Sequence, residues 1–411
     1  MSALQGTMQA LPVRKSCPLL MHPCRPGTFR CSVRPTTRCM AQAVANKMRI
    51  KPPSSSTAAT ELEALSQWST IIPDTVLMQK VEELELQAAT VSSTVLAGMM
   101  GNPRVAREYQ MAIEHGIQYD KCQIDASSKL ACILDKALAN VGTIFAEQVE
   151  GRVSTEVDPR EAYDTDNMLS RAHTLIENYK ENGISSDRIL IRLPATWQGI
   201  QAAKQLESEG IAAHVTLIYS FVQAQAAAQA GVSVIQPNVG RIMDWYRKHP
   251  GYIKHQKGPR QDGGSLFDDD NPGVQLAERI YNYCRKYHPK TKVMVAGLRN
   301  KADALALAGV DYLVLNERIV HSLDEATTLQ GYNDGFRADE PGDDSVPQQL
   351  SADSAQQAEF SSSETVEITR QLFEEGLGMA GLELLDNGIK TLVEDVNRLE
   401  PIFGNLAIDS L

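Results

Sequence analysis

Nine polar residues lie inside or just beyond otherwise apolar runs: Asp74, Ser92, Glu156, Arg192, Thr216, Gln236, Asn238, Arg241 and Arg299. Their types suit acid–base and anion chemistry. Two carboxylates can relay a proton, a hydroxyl can orient water, and guanidinium forks grip phosphate or carboxylate oxygens. Any one of them alone fits a structural salt bridge, since a buried polar group needs a partner. The whole set points to a binding site. Arg192 is the most demanding member, because "ILIRLPA" (189–195) otherwise has the composition of a buried parallel strand.

The elements that must position these groups alternate along the chain. Eight β-rich runs occur at 69–75, 89–96, 152–158, 189–195, 214–220, 233–239, 292–298 and 311–317. Helical spacing fills most of the gaps between them, as at 160–183 and 219–231. This predicts an α/β fold, a (β/α)8 TIM barrel over 65–334 with extra C-terminal helices at 364–411 packing on it. An open doubly wound sheet is the alternative, but no GxGxxG turn follows a strand. In a (β/α)8 barrel, reactive groups gather at the C-terminal strand ends, where these polar residues fall. Outside the repeat, 247–272 reads as a long Gly/Lys/Asp-rich loop. Its end, "DDDNPG", lacks the spacing of a calcium loop; Asn271 capping a helix with Pro272 at its first position is the better reading. Residues 335–363 are acidic and Ser/Gln-rich, the composition of a flexible linker.

Composition bounds the partners. The chain has 411 residues, 43% of them apolar and 22% charged, as in ordinary globular proteins. No run of about 18 apolar residues predicts a membrane span. The net charge is −11, yet nine of the 40 basic residues and none of the 51 acidic ones lie in 1–60, leaving 31 against 51 and a net of −20 in 61–411. Such an acidic body disfavours nucleic acid and anionic membranes as partners. The Arg-rich, acid-free leader reads as a transit peptide over 1–45, followed by a linker at 46–64. It directs the expectation to the plastid (chloroplast) stroma, with the mitochondrion as alternative. Beyond the leader, Cys122, Cys132 and Cys284 form no CxxC pair, which predicts neither a disulfide framework nor a metal site. The histidines show no zinc-binding spacing.

Four stretches carry a family resemblance: "GRVSTEVDPREAYDT", "SSDRILIRLPATWQGIQAAKQLESEGI", "TLIYSFVQAQAAAQAGVSVIQPNVGRIMDWY" and "VMVAGLRN". In this order they resemble transaldolase, over roughly 65–317 and most densely over 150–246. The resemblance implies a place in the pentose phosphate pathway and transfer of a dihydroxyacetone unit between sugar phosphates. A Schiff base on a strand-four lysine carries that unit, with no metal or organic cofactor. It further implies that Asp74 and Glu156 are the acid–base carboxylates, that Thr216 orients the catalytic water, and that Arg241 and Arg299 bind phosphate. A homodimer is left open.

The departures fall at the reaction centre. Where the family reads like "ILIKLASTW", this chain has "ILIRLPATW", so Arg192 stands at the Schiff-base position. A guanidinium stays protonated and non-nucleophilic at physiological pH, so no environment makes it the required neutral amine. Ser92 and His214 replace asparagines that resemblance places at the substrate. Gln236 and Asn238 replace a serine and an aromatic residue, and Gly297 replaces a phosphate-contacting serine. The expectation is a sugar-phosphate-binding member of the family whose catalysis is impaired or absent. The alternative is an active transaldolase using a displaced lysine, for which Lys301 is better placed than Lys292, Lys129 or Lys204. A third reading is different chemistry on the same scaffold, with Arg192 stabilising an oxyanion.

Overall fold

The computed structural model describes residues 60–74, 87–100, 107–123, 129–252, 271–325 and 348–409. The expected transit peptide, most of the linker that follows it, 253–270 of the long loop and 335–347 of the acidic linker lie outside the described residues.

The described residues contain eight strands: β1 (Thr70–Pro73), β2 (Ala88–Val91), β3 (Arg152–Glu156), β4 (Ile189–Pro194), β5 (Ala213–Ile218), β6 (Val234–Pro237), β7 (Lys292–Val295) and β8 (Tyr312–Leu315). All the pairings are parallel, in the order β1-β8-β7-β6-β5-β4-β3-β2. The two ends of that order are consecutive strands, so the sheet curls into a nearly closed (β/α)8 barrel.

Alternation along each strand separates two environments. Ile189, Ile191, Leu193, Val215, Ile235, Val293, Leu313 and Leu315 join the helices in the main core. Burying each such side chain contributes roughly 1.5–3 kcal/mol, so this outer layer carries much of the stability. The opposite positions, Ile72, Leu190, Val234 and Met294, form a separate small cluster with Ala88, Ala212, Tyr312 and Val314. That cluster is the apolar floor of the barrel interior. Two residues further along the same faces stand Asp74, Thr90, Arg192, His214, Gln236 and Ala296. The interior therefore changes from apolar to polar on going toward the C-terminal strand ends.

Helix N-caps punctuate that end. Thr196, Asn238, Asn300 and Asn316 each accept a hydrogen bond from a backbone N–H in the first turn of the following helix, and Ser220 forms a capping box with Gln223. Each cap contributes about 1 kcal/mol and fixes where the chain turns away from the rim. Asn271 caps the helix Pro272–Tyr287, with Pro272 at its first position.

Three features differ from the sequence reading. The run 89–96 is a strand only to Val91; Ser92 Oγ accepts from Val95 N–H, and a helix begins at Ser93. Residues 348–363, read as the second half of the acidic linker, include the helix Ala352–Gln357, with Leu350 and Ala355 buried. The expectation of no disulfide is corrected: Cys122 and Cys132 are bonded, with Cα atoms 5.5 Å apart. Cys122 lies in the 3-10 helix Asp120–Gln123 and Cys132 near the start of the helix Lys129–Gln148, and no sequence motif marks such a pair. Cys284 is free and buried.

Two helices follow at the C-terminal side, Arg370–Gly376 and Gly378–Asp409. The longer one runs along the C-terminal rim of the barrel. Its Asp395 accepts from Thr94 Oγ1 at 2.6 Å, Asp386 accepts from Tyr163 Oη at 3.0 Å, and Glu383 accepts from Trp245 Nε1 at 2.8 Å. Leu384, Leu385 and Ile389 pack with Leu217, Tyr219, Ile242 and Trp245 in a second apolar cluster. Leu217 has φ +61°, and the β5–β6 register shifts there. This bulge presents Leu217 to the C-terminal helix. No helix among the described residues is long and apolar enough to cross a membrane.

Candidate active site

Register places the central residues in one row across three adjacent strands: Glu156 pairs with Arg192, and Arg192 with His214. Strand neighbours lie about 4.8 Å apart, so these inward side chains share one compartment. Thr216, paired with Pro194, stands one layer higher on β5 and donates to Gln236 Oε1 at 3.0 Å. Seven of the predicted residues, Ser92, Glu156, Arg192, His214, Thr216, Gln236 and Asn238, thus converge on one end of the barrel. Asp74 lies just beyond β1, where its N–H donates to Leu315 O at 2.7 Å; its side chain is exposed.

Glu156 is buried. Its Oε2 accepts from Ser93 N–H at 3.2 Å and Ser93 Oγ at 2.7 Å, while Oε1 has no partner among the described residues. Burial raises its pKa, opposed by the positive charge of Arg192 and the Ser93 bonds. His214 is buried beside the same cation, and both effects lower its pKa to about 3, burial the larger. The ring is therefore neutral at physiological pH. Its Nδ1 lies 2.7 Å from Ser154 Oγ, and Nε2 is buried without a partner. Arg192 makes no hydrogen bond or ion pair with any described residue, and its Nε is buried.

Arg241 and Arg299, the residues expected at a phosphate, both lie by the first turn of the helix Val239–Lys248. Asn238 Oδ1 accepts from Arg241 N–H at 3.1 Å, fixing the first turn. Gly240 lets the neighbouring turn come close: a Cβ there would lie 2.1 Å from Gly297 O and 2.6 Å from Arg299 Nε. Arg299 thereby crosses the same turn and pairs with Asp244, also on this helix. Two guanidinium groups at a helix N-terminus suit a phosphate dianion. The Asn238 and Gly297 departures prove to be linked. Gly297 has φ +72°, and a Cβ on it would fall 2.2 Å from Asn238 Oδ1. Tyr219 lies between the two groups of cations. Burial raises the pKa of its phenol, and Arg241 and then Arg192 pull it back.

Four contributors escape a reading of motifs: Ser93, Ser154, Tyr219 and Asp244. Ser154 was accessible from alternation, standing two residues before Glu156 on the same face. The candidate lysines lie elsewhere. Lys301 pairs with Glu61 at 3.1 Å, and Lys292, at the opposite end of the barrel, pairs with Asp311 at 2.9 Å. Lys204 is exposed and Lys129 half-buried, both on helices. Among the described residues no three His, Cys, Asp or Glu side chains converge as a metal ligand set.

Comparison with known proteins adds to this geometry. The family model for transaldolase/fructose-6-phosphate aldolase matches residues 71–400. The transaldolase of Edwardsiella ictaluri is 34% identical over 347 residues, 84% of this chain and 99% of that protein. Those of Acidobacterium capsulatum and Homo sapiens are 38% and 39% identical over 267 and 263 residues, 64% of this chain and 75% and 74% of theirs.

Proposed function

Because this chain belongs to the transaldolase/fructose-6-phosphate aldolase family, we propose that it binds sugar phosphates at the polar end of its barrel, with dihydroxyacetone transfer impaired or abolished by Arg192. The observation that carries this reading is the inward position of Arg192 on β4, between Glu156 and His214. Schiff-base formation requires an amine lone pair to attack a ketose carbonyl, with loss of water. A guanidinium offers no such pair near neutral pH.

The surrounding groups support binding. Glu156, Thr216 and Gln236 offer hydrogen bonds to sugar hydroxyls, while Arg241 and Arg299 take the phosphate. The displaced-lysine alternative is weakened by Lys301 and Lys292, each engaged by a carboxylate away from the row. The basic, acid-free leader supports import into a plastid; fusing residues 1–60 to a fluorescent reporter tests that placement.

The decisive experiment combines turnover of fructose 6-phosphate plus erythrose 4-phosphate with borohydride trapping. Wild type should give neither appreciable turnover nor a covalent adduct. Arg192→Lys should form a trappable adduct and recover at most weak turnover, because Ser92, His214 and Gly297 also differ from the family pattern. A trapped wild-type adduct formed at catalytic rates (roughly 1 s⁻¹ or faster) overturns the reading.

A further inference from the structure

The row Glu156–Arg192–His214 holds three buried polar atoms without partners among the described residues: Glu156 Oε1, Arg192 Nε and His214 Nε2. Arg192 as a whole is half-buried, and its enclosed Nε–H is costly to leave without an acceptor. Glu156 is the nearest candidate in register, but it forms no ion pair with Arg192, and its Oε2 is occupied by both donors of Ser93. His214 adds no positive charge, being neutral. Ser154 Oγ lies 2.7 Å from Nδ1, and in the tautomer that carries its proton on Nε2 the ring offers a second unpartnered donor beside the guanidinium.

We propose that this row is a carboxylate subsite, and that the ligand is a phosphorylated sugar acid: a polyhydroxy chain with a carboxylate at Arg192 and a phosphate at Arg241 and Arg299. The proposal rests on the sugar-phosphate reading above and names the class within it. A neutral ketose carbonyl offers one acceptor and no charge. A planar carboxylate offers two oxygens with the geometry of the guanidinium fork and supplies the missing negative charge. Arg192 on β4 and the turn after β6 are two strand spacings apart, about 10 Å, a reach comparable with an open six-carbon chain. Thr216, Gln236 and Tyr219 stand between them, where the hydroxyls of such a chain would lie. Burial pushes the Glu156 pKa upward, against the pull of Arg192 and Ser93, a direction that favours an incoming anion.

Calorimetric titration of the purified full chain with four probes tests the assignment: 6-phosphogluconate, fructose 6-phosphate, gluconate and inorganic phosphate. Wild type should bind 6-phosphogluconate at least ~10-fold tighter than fructose 6-phosphate, the gain of one charge-assisted contact, and tighter than either fragment. Arg192→Met should abolish that preference; Arg192→Lys, which keeps the charge, should retain part of it. Equal or weaker binding of 6-phosphogluconate by wild type overturns the carboxylate subsite and leaves the sugar-phosphate reading standing. Binding of neither phosphate ester overturns both. A preference that persists in Arg192→Met places the carboxylate elsewhere and overturns the assignment of Arg192. The wild-type comparison needs no variant and decides the matter if the methionine form fails to fold.

Discussion

His214 is locked in one charge state by its surroundings, and that has a stability consequence. Its folded pKa, about 3, lies below the ordinary 6.5. On acidification the unfolded chain therefore takes up this proton first, and stability falls as pH drops from 6.5 toward 3. His214→Asn should flatten that limb: between pH 6.5 and 4 its Tm should fall by a few degrees less than wild type. Parallel Tm–pH slopes for the two proteins would refute the buried neutral ring. Gly297 gives a second residue-scale test. Gly297→Ser, which restores the family's residue, should cost roughly 1–3 kcal/mol, through positive φ and collision with Asn238. Adding Asn238→Ala should make the double variant less destabilised than the sum of the single ones, by urea denaturation; strict additivity would sever the link. At this scale the sequence disclosed the large polar residues, because alternation sets them against apolar neighbours. Ser93 escaped because a small hydroxyl in a turn carries no periodic signal, whereas Ser154 was reachable only by following the alternation back from Glu156.

Among the elements, all eight strands were legible, since β-branched runs bounded by helical spacing read the same way in isolation and in the barrel. What local pattern hid was where a strand stops or bends. Ser92 ends β2 early by capping the next helix, and the Leu217 bulge depends on a partner 171 residues away in sequence, Gly388. At Gly388 of the C-terminal helix a Cβ would lie 3.1 Å from Leu217 Cδ2 and 3.2 Å from Tyr219 Oη. Gly388→Val should therefore lift this helix from the rim, costing roughly 1–3 kcal/mol and exposing it to limited proteolysis. Unchanged protease resistance with unchanged stability would mean the contact is dispensable. The Cys122–Cys132 bond was invisible for the same reason as the bulge, being a product of how two helices meet.

Across the whole molecule, a chain of charges ties the barrel wall to the C-terminal helix. Arg171 bridges buried Asp135 at 2.9 Å and Asp158 at 3.3 Å, and Arg160 bridges Asp158 and Glu400. Burial pushes the Asp135 carboxyl up to about 7, against the pull of Arg171, and its Oδ2 lacks a partner. Here the folded state holds its proton longer than the unfolded chain, so stability falls as pH rises from about 4 to 7, opposite in sign to His214. Asp135→Asn removes this loss, and its Tm relative to wild type should improve steadily over that window. A constant offset would show that Asp135 is ionised throughout. No sequence pattern announces this network, because its members come from separate helices, a loop and the C-terminal segment. That segment also sets an order of events during synthesis. All eight strands leave the ribosome before the helix Gly378–Asp409 that walls their rim. The wall over the polar end of the barrel is therefore the last piece to emerge, and closing that rim is one of the final steps in this protein's maturation.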